Sequence, residues 1–501
     1  MGTMKPAESK TRHSADEAVA RWSPQMWGLL IVLAGNMLID ALEVSTVLVA
    51  LPSVGRELNL SLPLLQWLVS GFALGFGMTV LFGGRIVESF GRRRVYLAAL
   101  VCFAAASVIA GLTNDPTVLV ATRFVKGVCA ALTAPIGLAI ISTAFRRGPD
   151  RDRAVAVYSF VGACGFVAGL LLAGLLTGLS WRLTFVFPAP VVLVLLVGGI
   201  LLIPRDVPDR TAPLRLAAVG AVCLAGGFSA LVQGVVMVPV RGWGDPLTLG
   251  AFAATGVLFL LFCVAEHFAS RPLIRFGVLR NGALIRSMLG AAALNGSFVG
   301  LLLVATLHMQ TVLGWSPAET AFAFLPASLP LAVAALFSQR LTKRFGAVRL
   351  IAVGALGPPL GYALYLRLSP PVVYAVDILP TMLLVAWGFV FGFAALNAQA
   401  VSLVPTRDRA LASGLYQTAV QTAAAVVPAL VVALLLTGAT PGDPQQMLDG
   451  HRFAVGAITA LGVSGLVVAV VGLIADRRCR GRDTTGRSAR PETAPTCTKD
   501  P

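Results

Sequence analysis

The sequence is poor in charge. Only 12% of its 501 residues are Asp, Glu, Lys or Arg, about half the share of an ordinary soluble domain. Acids are the scarcer sign, 23 against 39 Lys and Arg, and there are just 4 histidines. A soluble globular chain of this length is excluded, because it would need a more polar surface. The seven cysteines, at positions 102, 129, 164, 223, 263, 479 and 497, show no CxxC pair and no zinc-ligand spacing, so neither a disulfide framework nor a metal centre is expected. A Gly-x-x-x-x-Gly-Lys-Ser/Thr phosphate loop and a His-Glu-x-x-His pair are both missing, which removes nucleotide-driven work and zinc hydrolysis. No catalytic residue, metal or cofactor is expected, and a gradient is the remaining energy source. The polar segment up to about Ser23 lacks the apolar core and cleavage site of a signal peptide.

What is present is apolar sequence, 57% of the chain, in repeated runs of about twenty residues, each able to cross a bilayer as a helix. Fourteen such runs predict an all-α integral membrane protein. The basic residues test that count. With both termini cytoplasmic, 32 of the 39 Lys and Arg fall inside. Five fall outside (Arg56, Arg182, Arg241, Arg367 and Arg452), and Arg123 and Lys126 lie within a span. One helix missed or added mid-chain swaps the later loops and destroys the asymmetry. The same distribution accounts for the basic excess without nucleic acid. The expected order is a cytoplasmic segment 1–25, a six-helix half 26–204, a linker 205–286 with two additional spans, a second six-helix half 287–475, and a cytoplasmic tail 476–501. The stretch from Ile86 to Gly91 finds an echo from Leu341 to Gly346, with Lys343 where the first copy has Glu88. These stretches correspond only if two helices were inserted between six-helix halves. Paired halves imply a central site and rocking, alternating access.

Between spans 2 and 3 the chain reads Gly84-Arg85-Ile86-Val87-Glu88-Ser89-Phe90-Gly91-Arg92-Arg93-Arg94. A short surface loop is expected, with Gly84 allowing close helix packing and Gly91 taking a positive φ. Glu88 is expected to pair with Arg92–Arg94 or to sit at the positive end of another helix. The stretch resembles the loop signature of the major facilitator superfamily of secondary transporters, Gly-x-x-x-Asp-x-x-Gly-Arg-Arg/Lys, with Glu88 in place of Asp. The segment from Leu42 to Pro52 resembles the Leu-Asp-x-Thr-(Ile)-Val-Asn-Val-Ala-Leu-Pro segment of the fourteen-helix drug/proton antiporters, with Glu43 for Asp and Leu48 for Asn. Leu119-x-x-x-Arg123-x-x-Lys126-Gly127 is similar to the superfamily's Leu-x-x-x-Arg-x-x-Gln-Gly. Gly165-x-x-x-Gly169-Leu170-x-x-Ala173-Gly174 is close to the antiporter motif Gly-x-x-x-Gly-Pro-x-x-Gly-Gly, which is associated with exporters. Gln66-Trp67, Ser180-Trp181-Arg182, Glu266 with Pro272-Leu273, and Ala412-Ser413-Gly414-Leu415 follow in the family's order. The resemblance covers about residues 26–475.

It implies a proton-coupled transporter that exports amphiphilic drugs, antibiotics or secondary metabolites across the cytoplasmic (inner) membrane, with a monomer sufficient for the cycle. The expected partners are the small-molecule substrate, protons and lipid. The sharpest site candidates are charges inside spans, each costly in lipid. Glu43 lies ~13 Å below Pro52, while Arg123 and Lys126 lie ~10 and ~15 Å below the same surface at about 1.5 Å per residue. Asp40 and Glu43 share one helix face, as do Arg123 and Lys126. A four-charge proton-coupling cluster is therefore expected, against the plainer reading of a structural ion cluster. Phe72, Asn295, Gln310, Asn397, Gln417 and Gln421 are candidate substrate contacts, the polar ones equally suited to hydrogen bonding between helices. Gly84, Glu88, Gly91, Arg92, Arg93, Gly165, Gly169 and Gly174 are expected to serve conformational change. The competing readings are a proton-coupled importer or facilitator and a non-transporting membrane sensor.

Overall fold

The computed structural model describes residues 22–206, 215–269, 274–367, 372–437 and 444–486. Most of both polar termini, together with Pro272-Leu273, lie outside them. The described residues are helical throughout, with no strand. Thirteen helices are long and apolar enough to cross a membrane: α1 (Pro24–Leu58), α2 (Leu62–Phe90), α3 (Arg92–Leu112), α4 (Pro116–Ala144), α5 (Pro149–Leu179), α6 (Trp181–Leu202), α7 (Val219–Arg241), α8 (Pro246–Phe268), α9 (Gly282–Val312), α11 (Ala347–Tyr365), α12 (Tyr374–Ser402), α13 (Thr406–Leu436) and α14 (Gly450–Arg478). The fourteenth span, α10, is a pair bent by 49°, Pro317–Ala323 with Leu325–Ala335. The predicted count holds, with one span broken.

Local chemistry sets many of the boundaries. Ser23, Asp115, Asp245 and Ser316 each precede a proline, and each side chain accepts a hydrogen bond from a free N–H of the first turn. That pairing starts a helix decisively, since proline has no N–H to leave unsatisfied. Asn59 ends α1 in the left-handed conformation, φ 50°.

One correction concerns the α2–α3 junction. It is not an extended loop: α2 runs through Glu88 to Phe90, and Gly91 alone breaks it, with φ 86° and ψ 149°. Gly346 breaks the chain between the short helix Ser338–Phe345 and α11 in nearly the same conformation, φ 80° and ψ 142°. The weak sequence repeat thus matches a repeated backbone hinge. Gly84 is exposed and nothing lies within 4 Å of where its Cβ would be, so the close packing expected of it does not occur.

The helices pack as two groups. In the first, α1 lies on α5 and α2 on α4; in the second, α9 lies on α13 and α14. The groups meet along α2–α13 and α5–α10, and where α1 reaches α9. Helix α7 packs on both α2 and α13, and α8 packs on α7. Trp67 Nε1 donates to Gln233 Oε1 at 3.0 Å, fixing α7 to α2. The inserted pair is therefore peripheral in α8 only.

Candidate functional site

Two carboxylates and two cations are buried in the first half: Asp40 (5% exposed), Glu43 (1%), Arg123 (1%) and Lys126 (0%). Their helices come together because of glycine. A Cβ on Gly127 of α4 would collide with the Phe72 carbonyl of α2, and one on Gly75 of α2 with the Phe124 carbonyl of α4. Each helix thus offers a glycine where the other presents backbone. On the other side, a Cβ on Gly165 would lie 3.0 Å from Ala41 Cβ, and one on Gly169 would lie 2.7 Å from the Leu42 carbonyl. Ser45 Oγ adds a bond to the Phe166 carbonyl at 2.9 Å. The backbone of α1 around Ala41–Ser45 is therefore held tightly against α5.

Glu43 lies at the centre. Arg123 Nη1 donates to its Oε2, and Lys126 Nζ donates to its Oε1 at 2.5 Å. Arg123 is fixed further by Nη2 to the Glu43 carbonyl at 3.0 Å and Nε to the Leu68 carbonyl at 2.9 Å. Its guanidinium stands 4.9 Å over the Phe72 ring, while Lys126 Nζ stands 5.0 Å over Phe103. Arg123 thereby reaches α1 and α2 at once, in the planar, multidentate way that suits a guanidinium. The depths calculated along α1 and α4 place Glu43 between the two cations, and that is where it bridges them.

The expected four-charge cluster needs correction at Asp40. Among the described residues it makes no ion pair. Its Oδ2 accepts from Thr133 Oγ1 and Asn36 Nδ2, both at 2.9 Å. Composition offered no reason to choose Thr133 or Asn36 over other polar residues in the spans. The i, i+4 spacing of Asn36 and Asp40 was the available signal.

The conformational glycines divide. Gly165 and Gly169 lie in the α1–α5 contact, whereas a Cβ on Gly174 would lie 2.7 Å from Ala321 Cβ across the two halves. Glu88 pairs with Arg85 at 3.6 Å rather than with Arg92–Arg94. The acid at the start of α3 is Asp206: the Arg92 N–H donates to its Oδ2 and the Arg93 N–H to its Oδ1 at 3.3 Å.

The substrate candidates scatter. Gln310 Nε2 donates to the Val49 carbonyl across the halves at 3.0 Å, from a π-helical turn, His308–Val312. Gln421 is buried at the α2–α13 contact, 3.0 Å from where a Cβ on Gly77 would be. Asn295 Nδ2 donates to the Val420 carbonyl within the second half at 3.2 Å. Gln417 is half-buried and Asn397 exposed. Phe72 lies beneath Arg123 and is buried. A run of aromatic contacts was not expected as a unit. Phe166 of α5 meets Phe298 of α9 at 5.8 Å, and Phe298 meets Phe389 of α12 at 4.6 Å.

Fourteen spans in paired halves, with a buried charge cluster in one of them, define a membrane transporter. The Major Facilitator Superfamily model matches residues 33–428, and the chain belongs to that family. It is a multi-pass protein of the cell inner membrane. It is 34% identical over 500 residues to the puromycin resistance protein pur8 of Streptomyces alboniger, covering 97% of each chain. It is also 34% identical to the cephamycin export protein CmcT of Amycolatopsis lactamdurans, covering 86% of this chain and 88% of that one. Among solved structures, the peptide transporter POT in complex with sulfate aligns with TM-score 0.65 at 17% identity, covering 91% of this chain and 94% of that one. The xylose transporter XylE from E. coli, inward open, aligns at 0.58 and 15% identity, covering 89% and 96%. These structures agree in fold.

Proposed function

We propose that this protein exports amphiphilic organic molecules, antibiotics or secondary metabolites, in exchange for protons, by alternating access of its two halves. The observation that carries the reading is the buried Glu43–Arg123–Lys126 ion cluster beside Asp40. A desolvated cluster of this kind is costly as scaffold, while a carboxyl beside it is suited to binding a proton in one state and releasing it in another. The names of the similar proteins, resistance to puromycin and export of cephamycin, support the direction. Both termini are cytoplasmic on the distribution of Lys and Arg, and a single copy in lipid contains the whole pathway. Three hydrogen bonds join the halves: Gln310 to the Val49 carbonyl, Ser70 to the Ala425 carbonyl at 2.6 Å, and Thr418 to the Gly77 carbonyl at 2.9 Å. They run from the end with the α1–α2 turn down to mid-depth, which supports reading that end, the outer one on this topology, as closed. The aromatic contacts Phe166–Phe298–Phe389 offer an apolar wall to an amphiphile at the seam.

Import of a small solute on the same fold is the competing reading, favoured by Leu170 and Ala173 where the exporter motif has Pro and Gly. Accumulation separates the two. Expressed in an efflux-deficient bacterium, the protein is expected to lower cellular puromycin, lincomycin or a fluorescent dye, and a protonophore is expected to restore the level. Higher accumulation of these compounds would overturn export.

A further inference from the structure

We propose that Asp40, and not Glu43, is the carboxylate that takes up and releases the transported proton, while Glu43 stays ionised as the fixed counter-ion of Arg123 and Lys126. The inference rests on the proton-coupled reading above and assigns its proton to one side chain.

The partners of the two acids decide it. Glu43 uses one oxygen for Arg123 and the other for Lys126. Protonating it would leave two buried cations facing each other with no anion between them, and burial makes such a state very unfavourable. Asp40 is surrounded by neutral donors. Both the Thr133 hydroxyl and the Asn36 amide donate to Oδ2, which leaves Oδ1 as the place for a proton. A neutral carboxylic acid keeps both bonds, so loading disrupts no partner. An ionised Asp40 must instead bear desolvation without a cation.

Every titratable group facing Asp40 fits this division. On its own helix the nearest charge is Glu43, of the same sign. From α3 comes Tyr96, from α5 Tyr158 and from α4 Cys129, weak acids that ordinarily carry no charge at neutral pH. Helix α6, which also packs on α1, contributes no ionisable side chain after Arg182. No cation is held against Asp40 among the described residues. Charge counting then gives the switch. Glu43 with Arg123 and Lys126 carries one net positive charge. Ionised Asp40 cancels it and protonated Asp40 does not. Taking a proton from water thus turns a neutral buried group into a cationic one, with no bond made except the carboxyl O–H.

The test needs no substrate. Infrared difference spectra of the purified protein, taken between acidic and alkaline pH, report the C=O stretch of a protonated buried carboxylic acid. The band is expected in the wild type and in Glu43→Gln, lost in Asp40→Asn, and shifted in Thr133→Val, which removes one hydrogen bond but leaves the carboxyl. Loss of the band in Glu43→Gln with retention in Asp40→Asn would overturn the assignment, as would a wild type with no such band. Puromycin accumulation in cells is read alongside. Asp40→Asn is expected to abolish concentration against a gradient while keeping downhill equilibration. A wild type that moves no compound in the panel defeats the export reading, while the infrared band still decides the proton site.

Discussion

Glu43 shows how a single side chain can hold three helices. Its carboxylate joins α1 to α4, and the same arginine continues to the backbone of α2. Glu43→Gln removes the carboxylate that bridges Arg123 and Lys126, and removal of one partner from a buried ion pair costs about 3–5 kcal/mol. A marked fall in melting temperature in detergent is expected. Lys126→Gln restores the residue usual in the family and leaves Glu43 paired with Arg123, so its melting temperature should stay close to that of the wild type. Equal losses in the two variants would show that the cluster does not act as described. At this scale the sequence was legible where charge was rare. Four ionisable residues in apolar runs stand out, and the pitch of a helix sets their depth. The partners of Asp40 and the cap supplied by Asp206 were not legible. Thr133 and Asn36 look like any other polar residues in a span, and Asp206 lies 114 residues from the helix it caps.

Among the elements, the two glycine hinges matter most. Gly91 and Gly346 occupy a region of φ and ψ that is nearly confined to glycine, and forcing another residue there costs of order 1–3 kcal/mol. Gly91→Ala would also press a methyl against the Asp206 carboxylate, 3.1 Å from the built Cβ. Gly346→Ala meets nothing within 4 Å, so it reads backbone strain alone. Both are expected to lower thermal stability, Gly91→Ala by more. Asp206→Ala should lose about 1 kcal/mol as the cap of α3 disappears, read by melting in parallel with Gly91→Ala. The glycines between α2 and α4 are stricter. Gly127→Ala places a methyl on the Phe72 carbonyl, and the overpacking is expected to cost roughly 1–3 kcal/mol. The sequence marked Gly91 correctly through its turn chemistry. It misled at Gly84, because a motif position does not reveal whether a neighbouring helix lies opposite.

For the whole molecule, transport requires the halves to part where they now touch. A Cβ on Gly77 would lie 3.0 Å from Gln421 Cβ, near the separation a disulfide spans, about 3.5–4.5 Å. With the native cysteines replaced, the pair Gly77→Cys and Gln421→Cys is expected to cross-link under mild oxidant and stop efflux, and reductant should restore it. Each single variant controls for loss of Gln421 or Gly77 alone, and efflux that persists after complete cross-linking would exclude rocking about this seam. The fourteen spans and the six, two, six order were legible because length, hydropathy and the side preference of Lys and Arg each constrain them. The bend in α10 and the lodging of α7 between the halves were not, since both depend on contacts between distant segments.

That lodging has a further consequence. Helix α7 lies over the line where α2 meets α13, so bilayer lipid is kept from that flank of the central seam. The opposite flank, between α5 and α10, has no such cover among the described residues. A lipophilic compound dissolved in the membrane is therefore expected to approach the seam from the α5–α10 side and not from the α2–α13 side. A photoactivatable lipid is expected to label α5 and α10 at the seam and to spare α2 and α13.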